Sequence, residues 1–303
     1  MNIIFMGTPD FAVPSLEKLA QSPHNISAVV TQPDKPVGRK QILTPPDVKV
    51  CAEKFGIKVL QPETLKSDNS VEELKSFNPD VIVVVAYGKI LPKAVLDIPK
   101  YGCINVHGSL LPKYRGASPI QSAVLNGDKV TGVTTMYMGE GLDTGDILLS
   151  EKTEIGENET SAQLFDRLAL SGASLLLKTL DELKSITPVK QDESKAVYTE
   201  KITKSMCPID WKKPAFAIHN QVRGLQTWPV ASAKINGRDI KIHSTEICGK
   251  SGSPGGIISL DPLTVACGEK SVIIKELQLS GKKRMDSKSF LLGHPLNIGE
   301  KFM

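Results

Sequence analysis

Asn105 and His107 stand two residues apart in the run Cys103-Ile104-Asn105-Val106-His107, where apolar and polar side chains alternate. That is the period of a strand, and it places the two on one face about 7 Å apart. One is an amide donor and the other a titratable imidazole. The turn-rich stretch Gly108-Ser109-Leu110-Leu111-Pro112-Lys113-Tyr114-Arg115-Gly116 follows at once. An amide and an imidazole at the mouth of a sheet can polarise a carbonyl and move a proton. Asp143, in the turn Gly139-Glu140-Gly141-Leu142-Asp143-Thr144-Gly145-Asp146, is the candidate carboxylate to favour the imidazolium and orient the ring. A neutral amide aimed at a developing oxyanion contributes roughly 3 kcal/mol. The set suits attack on a carbonyl, Asn105 and His107 holding the oxygen while Asp143 and His107 manage protons. No Gly-x-Ser-x-Gly elbow accompanies them, and Cys103 is expected to face away from His107. Direct transfer to an amine or to water, without a covalent intermediate, is the chemistry this predicts. The residue types alone leave a plainer alternative open, a strand-end histidine satisfied by a loop carboxylate.

These side chains need a sheet to hold them. The first half alternates strand patterns (residues 2–6, 26–31, 57–60, 80–86 and 103–107) with helical ones (11–20, 45–55, 71–77 and 91–96). Such alternation predicts βαβ units, a Rossmann-like, mostly parallel sheet and right-handed crossovers. Ligands in such sheets sit beyond the carboxyl ends of strands, and Gly7, Tyr87-Gly88 and His107-Gly108 all fall there. A helix at 118–126, strands at 131–138 and 147–153 around the Asp143 turn, and a helix at 161–184 complete this half. Residues 185–206 turn polar and Lys-rich without apolar period and read as a linker. The tail predicts one helix (214–225) and five short strands (230–235, 239–247, 256–260, 263–266 and 272–279), a small barrel of the oligonucleotide-binding type. The fold class is thus α/β followed by a small OB-like β domain. The expected division is 1–184 catalytic, 185–206 linker and 207–303 C-terminal.

At 303 residues the chain exceeds the usual single-domain size, and its 40% hydrophobic and 23% charged residues fit ordinary globular cores. Five scattered cysteines without a Cys-x-x-Cys pair predict neither structural disulfides nor a zinc site. His24, His219, His243 and His294 lack ligand spacing and are expected at the surface or in loops, with no metal. The first residues carry no basic start before a short apolar run, so a cytoplasmic protein without membrane attachment is expected. Neither Gly-x-Gly-x-x-Gly nor a complete Gly-Lys-Ser/Thr phosphate loop is present, which disfavours nucleotide cofactors. The net charge of +4 is uneven: residues 207–303 hold 14 basic against 8 acidic groups, +6, and the remainder −2. The tail can therefore face a polyanion, or the charge can simply keep it soluble. The loop 31–44, with Lys35, Arg39 and Lys40 among prolines and glycine, is either a solvated connection or a basic flap that grips phosphate. Lys282-Lys283-Arg284 poses the same choice.

Asn105-Val106-His107-Gly108-Ser109-Leu110-Leu111-Pro112 followed by Gly141-Leu142-Asp143-Thr144-Gly145 resembles the signature of folate-dependent formyltransferases. Phe5-Met6-Gly7-Thr8-Pro9-Asp10-Phe11, the stretch Thr31-Gln32-Pro33-Asp34-Lys35-Pro36-Val37-Gly38-Arg39 and Val84-Val85-Ala86-Tyr87-Gly88-Lys89-Ile90-Leu91-Pro92 extend the likeness. With Ile209-Asp210-Trp211 and Trp228-Pro229 it covers essentially the whole chain, and is nearest to the members that act on charged initiator tRNA. The resemblance implies 10-formyltetrahydrofolate as co-substrate and donor, no metal, and the α-amine of methionyl-initiator tRNA as acceptor. Asn105, His107 and Asp143 match the family's catalytic trio, the first two stabilising the tetrahedral oxyanion. Ser109, Leu110, Leu111 and Pro112 match its folate loop, and Tyr87, Gly88, Ile90 and Leu91 are expected to wall the pterin pocket. Arg39 matches an arginine that engages the acceptor stem; Lys40 beside it and Lys282, Lys283 and Arg284 are further tRNA candidates. Relatives often carry more basic residues after this arginine, whereas here Gln41-Ile42-Leu43 follow Lys40.

Three rivals share parts of this pattern. A transferase acting on a small amine, such as glycinamide ribonucleotide or an amino sugar, would keep the trio but need no basic tail. A hydrolase releasing formate from the same folate would keep His107 and Asp143. An RNA-binding protein without activity would explain the tail alone. A monomer is expected.

Overall fold

The computed structural model describes residues 1–38 and 40–303; Arg39, assigned above to tRNA, lies outside the described residues. Contacts divide the chain into two compact units, Met1–Gly116 with Gly132–Thr153 and Phe165–Tyr198, and Ala117–Thr131 with Glu154–Leu164 and Thr199–Met303.

The first unit opens with β1 (Asn2–Gly7), α1 (Val13–Ala20) and β2 (Asn25–Val30). There follow β3 (Lys35–Val37), β4 (Ile42–Thr44), α2 (Asp47–Lys54), β5 (Val59–Leu60), α3 (Asp68–Ser76), β6 (Val81–Val85), α4 (Lys93–Leu96), β7 (Cys103–His107) and β8 (Arg115–Gly116). After α5 (Pro119–Leu125), which belongs to the second unit, come β9 (Val130–Tyr137), β10 (Ile147–Glu154), α6 (Ser161–Glu182) and β11 (Tyr198–Thr199). Among the described residues the main sheet has seven strands in the order β10-β9-β7-β6-β1-β2-β5. The pairs β6–β7, β6–β1, β1–β2 and β2–β5 are parallel, and β9 runs antiparallel to β7. Every residue of β6, Val-Ile-Val-Val-Val, is buried, as a central parallel strand covered on both faces requires. Ser67 caps α3 by accepting from Ser70 N–H, and Gly56 at φ 67° ends the α2 turn.

The register aligns Ile82 with Cys103 and Val84 with Asn105. Cys103 lies in the same buried cluster as Ile82, Val84, Tyr87 and Leu91. The expectation that Cys103 faces away from His107 is therefore incorrect: residues 103, 105 and 107 share a face, as a period of two demands. The loop 31–44 carries the antiparallel hairpin β3–β4, with Lys35 opposite Thr44 and Val37 opposite Ile42. Gly38 at φ 73° and Gln41 at φ 50° turn it.

The second unit contains α7 (Ala215–Gly224), β12 (Ala231–Ile235), β13 (Arg238–Cys248), β14 (Ile257–Leu260), β15 (Leu263–Ala266), β16 (Ser271–Leu279), β17 (Met285–Asp286) and α8 (Ser287–Gly293). Its antiparallel sheet runs β12-β13-β16-β15-β14, with β17 on β16. Register shifts around Ser244 bend the long β13–β16 pair. Trp211, Ile218, Ile242, Ile274, Leu277, Phe290 and Phe302 fill the core, the rings of Trp211 and Phe302 5.6 Å apart. Asp286 caps α8 on Ser289 N–H at 2.8 Å. At seven residues, α8 is too short for its apolar spacing to register in the sequence. His219, expected at the surface, is buried instead, with Thr245 Oγ1 on Nδ1 and the Glu157 carbonyl on Nε2. Among the described residues no helix is long and apolar enough to cross a membrane.

Candidate active site

β7 delivers Asn105 and His107 to the carboxyl end of the sheet, opposite Met136 and Thr134 of β9. Both are buried, Asn105 at 9% exposure and His107 at 6%. His107 donates from Nε2 to the Tyr114 carbonyl at 2.8 Å, because a carbonyl can only accept. Nδ1 is then the nitrogen that faces Asp143, with Oδ2 3.7 Å away. Among the described residues the Asn105 amide has no protein hydrogen-bond partner. The amide keeps some access to solvent, so it is free to donate to the oxygen of a bound molecule. Cys103 on the same face is no nucleophile: Sγ lies 3.8 Å from the Leu96 carbonyl and burial pushes the thiol up to about 12.

Asp143 is held by main chain and by a polar network centred on buried Arg115. Its Oδ2 accepts from Gly116 N–H at 2.7 Å, and its backbone sits at φ 52°, a region disfavoured for a residue with Cβ. Gln191 Nε2 donates to the carbonyls of Asp143 and Gly145 at 2.8 and 2.7 Å. Gln191 Oε1 accepts from Arg115 Nε and Nη2 at 3.0 and 2.8 Å. Arg115, at 0% exposure, forks onto Glu193 at 2.7 and 2.8 Å and also donates to Tyr198 OH at 3.0 Å. That guanidinium holds the Glu193 carboxyl below its ordinary range. Gly145 closes the turn with no room to spare, since a Cβ there would stand 1.7 Å from the Tyr137 carbonyl. Sequence reasoning missed Gln191, Glu193 and Tyr198, which lie in the stretch read as a linker. A polar segment that packs through side-chain hydrogen bonds has no apolar period to show. Arg115, inside the opening motif, was the available signal.

The residues matched to a folate donor divide by exposure. Ile90 is 85% exposed and Gly88, at φ 81°, is exposed with the Gln32 amide against it, while Leu110 and Pro112 are half-buried. Ser109 is buried with Oγ donating to the Lys113 carbonyl at 2.5 Å and its own carbonyl accepting from Thr134 Oγ1 at 2.7 Å. Leu111, Tyr87 and Leu91 are buried too, and the Tyr87 hydroxyl has no partner among the described residues. Thr8 Oγ1 and Gln32 Nε2 donate to the Tyr87 carbonyl at 2.9 and 3.0 Å and fix this turn. Of the tRNA candidates, Lys40 is exposed in the β3–β4 turn. Lys282, Lys283 and Arg284 are exposed between β16 and β17, Arg284 paired with Glu276.

Comparison with known proteins finds two family matches along the sequence. Residues 1–180 match the formyl transferase family and residues 201–295 the formyl transferase C-terminal domain. The chain is 50% identical over 303 residues to methionyl-tRNA formyltransferase of Citrifermentans bemidjiense, covering 99% of this chain and 95% of that one. It is 49% identical over 310 residues to methionyl-tRNA formyltransferase of Lachnospira eligens, covering 99% and 98%. Among solved structures, the sugar 3N-formyl transferase WlaRD, in the presence of dTDP and 5-N-formyl-THF, superposes with a TM-score of 0.69 at 21% identity over 93% of this chain and 99% of that one. HypX from Aquifex aeolicus in complex with tetrahydrofolic acid gives 0.64 at 16% identity over 99% of this chain and 48% of that one. At these identities the two structures share the fold.

Proposed function

We propose, since the chain belongs to the methionyl-tRNA formyltransferase family, that it moves the formyl group of 10-formyltetrahydrofolate onto the α-amine of methionine carried by initiator tRNA. The observation that carries the reading is the unpartnered Asn105 amide beside an imidazole whose tautomer is fixed and whose free nitrogen faces a carboxylate. The folate supplies an electrophilic formyl carbon. Asn105 donates to the formyl oxygen as it gains negative charge, a contribution of roughly 3 kcal/mol for an aimed donor in a buried site. With Nε2 engaged by Tyr114, His107 acts through Nδ1. Forming the new C–N bond releases a proton from the amine, and breaking the old one requires a proton on the departing nitrogen. His107 Nδ1 and the Asp143 carboxylate between them hold that proton and return it.

The residues present fit a flat, partly apolar donor. Exposed Ile90 and Leu142 offer apolar surface, Gly88 presents exposed backbone close to Ile90 in sequence, and the Asn105 amide awaits an acceptor. Gly88, Ile90, Leu110 and Pro112 would hold the folate, with Ser109, Leu111, Tyr87 and Leu91 supporting the loops from beneath. Arg39, Lys40, Lys282, Lys283 and Arg284 would meet tRNA phosphates, and the +6 of residues 207–303 favours a polyanion. In this reading residues 1–184 carry the chemistry, 185–206 connect, and an OB-like 207–303 meets tRNA. The protein acts as a cytoplasmic monomer.

Labelled 10-formyltetrahydrofolate, offered charged initiator tRNA and small amines side by side, tests the reading. Acid-stable label on tRNA-borne methionine is the expected result. Label found only as free formate, or on glycinamide ribonucleotide or an amino sugar, would overturn it.

A further inference from the structure

We infer that Gln191, oriented by Arg115, is the positioning residue that sets the Asp143 carboxylate against His107. The inference rests on the catalytic reading of Asn105, His107 and Asp143 given above.

The orientation of the Gln191 amide admits one solution. Arg115 has only donors, so Gln191 must turn its oxygen to the guanidinium, where it accepts at 2.8 and 3.0 Å. The NH2 then points at the carbonyls of Asp143 and Gly145, which only accept, and its two hydrogens match the two bonds of 2.8 and 2.7 Å. A flipped amide would set donors against donors and oxygen against two oxygens. Arg115 is in turn locked by the fork onto Glu193 and by Tyr198, so it cannot follow a displaced Gln191. The clamp spans Asp143 and Gly145, the part of the turn where Asp143 takes φ 52° and where Gly145 has no space for a side chain. A non-glycine residue in that region persists only when its surroundings over-determine it. Gln191 fixes the backbone and Gly116 N–H fixes Oδ2, and together they place the carboxylate 3.7 Å from His107 Nδ1. Neither Gln191 nor Arg115 is required to touch a substrate.

Gln191→Glu separates this role from simple support of Arg115. The variant keeps an oxygen for the guanidinium and strengthens that contact, but sets an acceptor against both carbonyls. If Gln191 only satisfies Arg115, Q191E keeps its rate. If Gln191 clamps the turn, kcat falls about ten- to a hundredfold, by analogy with the loss of groups that orient the ligands of a metal site. KM for folate and for tRNA then stays within about threefold, since ground-state contacts are untouched. A second readout needs no substrate: the imidazole 15N and 1H resonances of His107 in the free protein move in Q191E. Should Q191E fold poorly, Gln191→Met removes the donor and the Arg115 acceptor together without adding charge, and a folded Q191M whose kcat and His107 resonances match the parent's also overturns the inference. A folded variant with kcat within twofold of the parent, or with unmoved His107 resonances, overturns the inference. Should the parent fail to formylate tRNA, the proposed function falls, and the resonances still decide the clamp.

Discussion

His107 binds the Tyr114 carbonyl through Nε2 at 2.8 Å, and this bond decides which nitrogen meets Asp143. The remaining Nδ1 stands 3.7 Å from Oδ2, longer than a hydrogen bond and short enough for an ion pair once Nδ1 is protonated. Asp143 does not depend on His107 for its place, because Gly116 N–H and Gln191 hold it independently. The two residues therefore form a pair whose members can be removed one at a time.

Asn105→Ala and His107→Ala each delete one side of the site while leaving Asp143 anchored. Loss of an aimed oxyanion donor costs roughly a hundredfold or more in kcat, with tRNA affinity unchanged. Single-turnover kinetics alongside filter binding checks this, and near-normal turnover in either variant contradicts the mechanism.

Asp143→Asn tests charge apart from position. The amide oxygen can still accept from Gly116 N–H, so the melting temperature should stay within about 2 °C, less than a 1 kcal/mol change produces. The proton partner of His107 is gone, and kcat should fall by about a hundredfold, within the range for acid–base groups. A large drop in melting temperature would show that the carboxylate is structural.

Gly145→Ala attacks the turn through sterics alone. The new Cβ would stand 1.7 Å from the Tyr137 carbonyl, main chain that cannot rotate away. Forced overpacking of this kind costs about 1–3 kcal/mol, and the displaced turn carries Asp143 with it. Thermal melts and kcat should therefore fall together; a variant with both intact would mean the turn relaxes freely.

How far the sequence spoke depended on whether a feature was local. The Asn105 and His107 pairing was legible because a two-residue period is read along one strand, and the all-β-branched β6 announced its burial. The hairpin β3–β4 was not, since Pro33, Pro36 and Gly38 signal a turn more loudly than its three-residue strands signal pairing. Gln191 was invisible for another reason. Its partners are Arg115, 76 residues away, and Asp143, 48 away, and no periodicity links them. His219 looked like a loop histidine until α7 and β13 closed on it, a packing that depends on tertiary contact.

Buried His219 and half-buried His243 make the second unit sensitive to mild acid. Burial lowers both below the ordinary 6.5, so the folded state resists a proton that the unfolded chain accepts. Stability rises with pH wherever the unfolded chain binds more protons. It is therefore fully present above 6.5 and declines as pH falls from there toward the lowered folded values. Trp211 and Trp228, the two tryptophans of the chain, both lie in this unit and report its melting by fluorescence. The transition should drop between pH 7.5 and 5.5, and drop less in His219→Gln; a parent indifferent to pH over that interval contradicts the argument.

The basic turn between β16 and β17 should contribute unequally to tRNA binding. Lys282 and Lys283 are exposed, whereas Arg284 is paired with Glu276. An arginine already neutralised by a carboxylate releases fewer counterions when a phosphate arrives. Replacing both lysines by alanine should weaken binding at low salt and reduce the slope of log affinity against log salt by about one to two, as each phosphate contact contributes roughly 0.7–0.9. Arg284→Ala alone should change the slope by less than either lysine. Binding isotherms at several salt concentrations measure all three, with the kcat of saturated enzyme expected to hold because none of these residues lies near Asn105 in sequence or on its strand. A double lysine variant with an unaltered slope would assign the tail's positive charge to solubility rather than to tRNA.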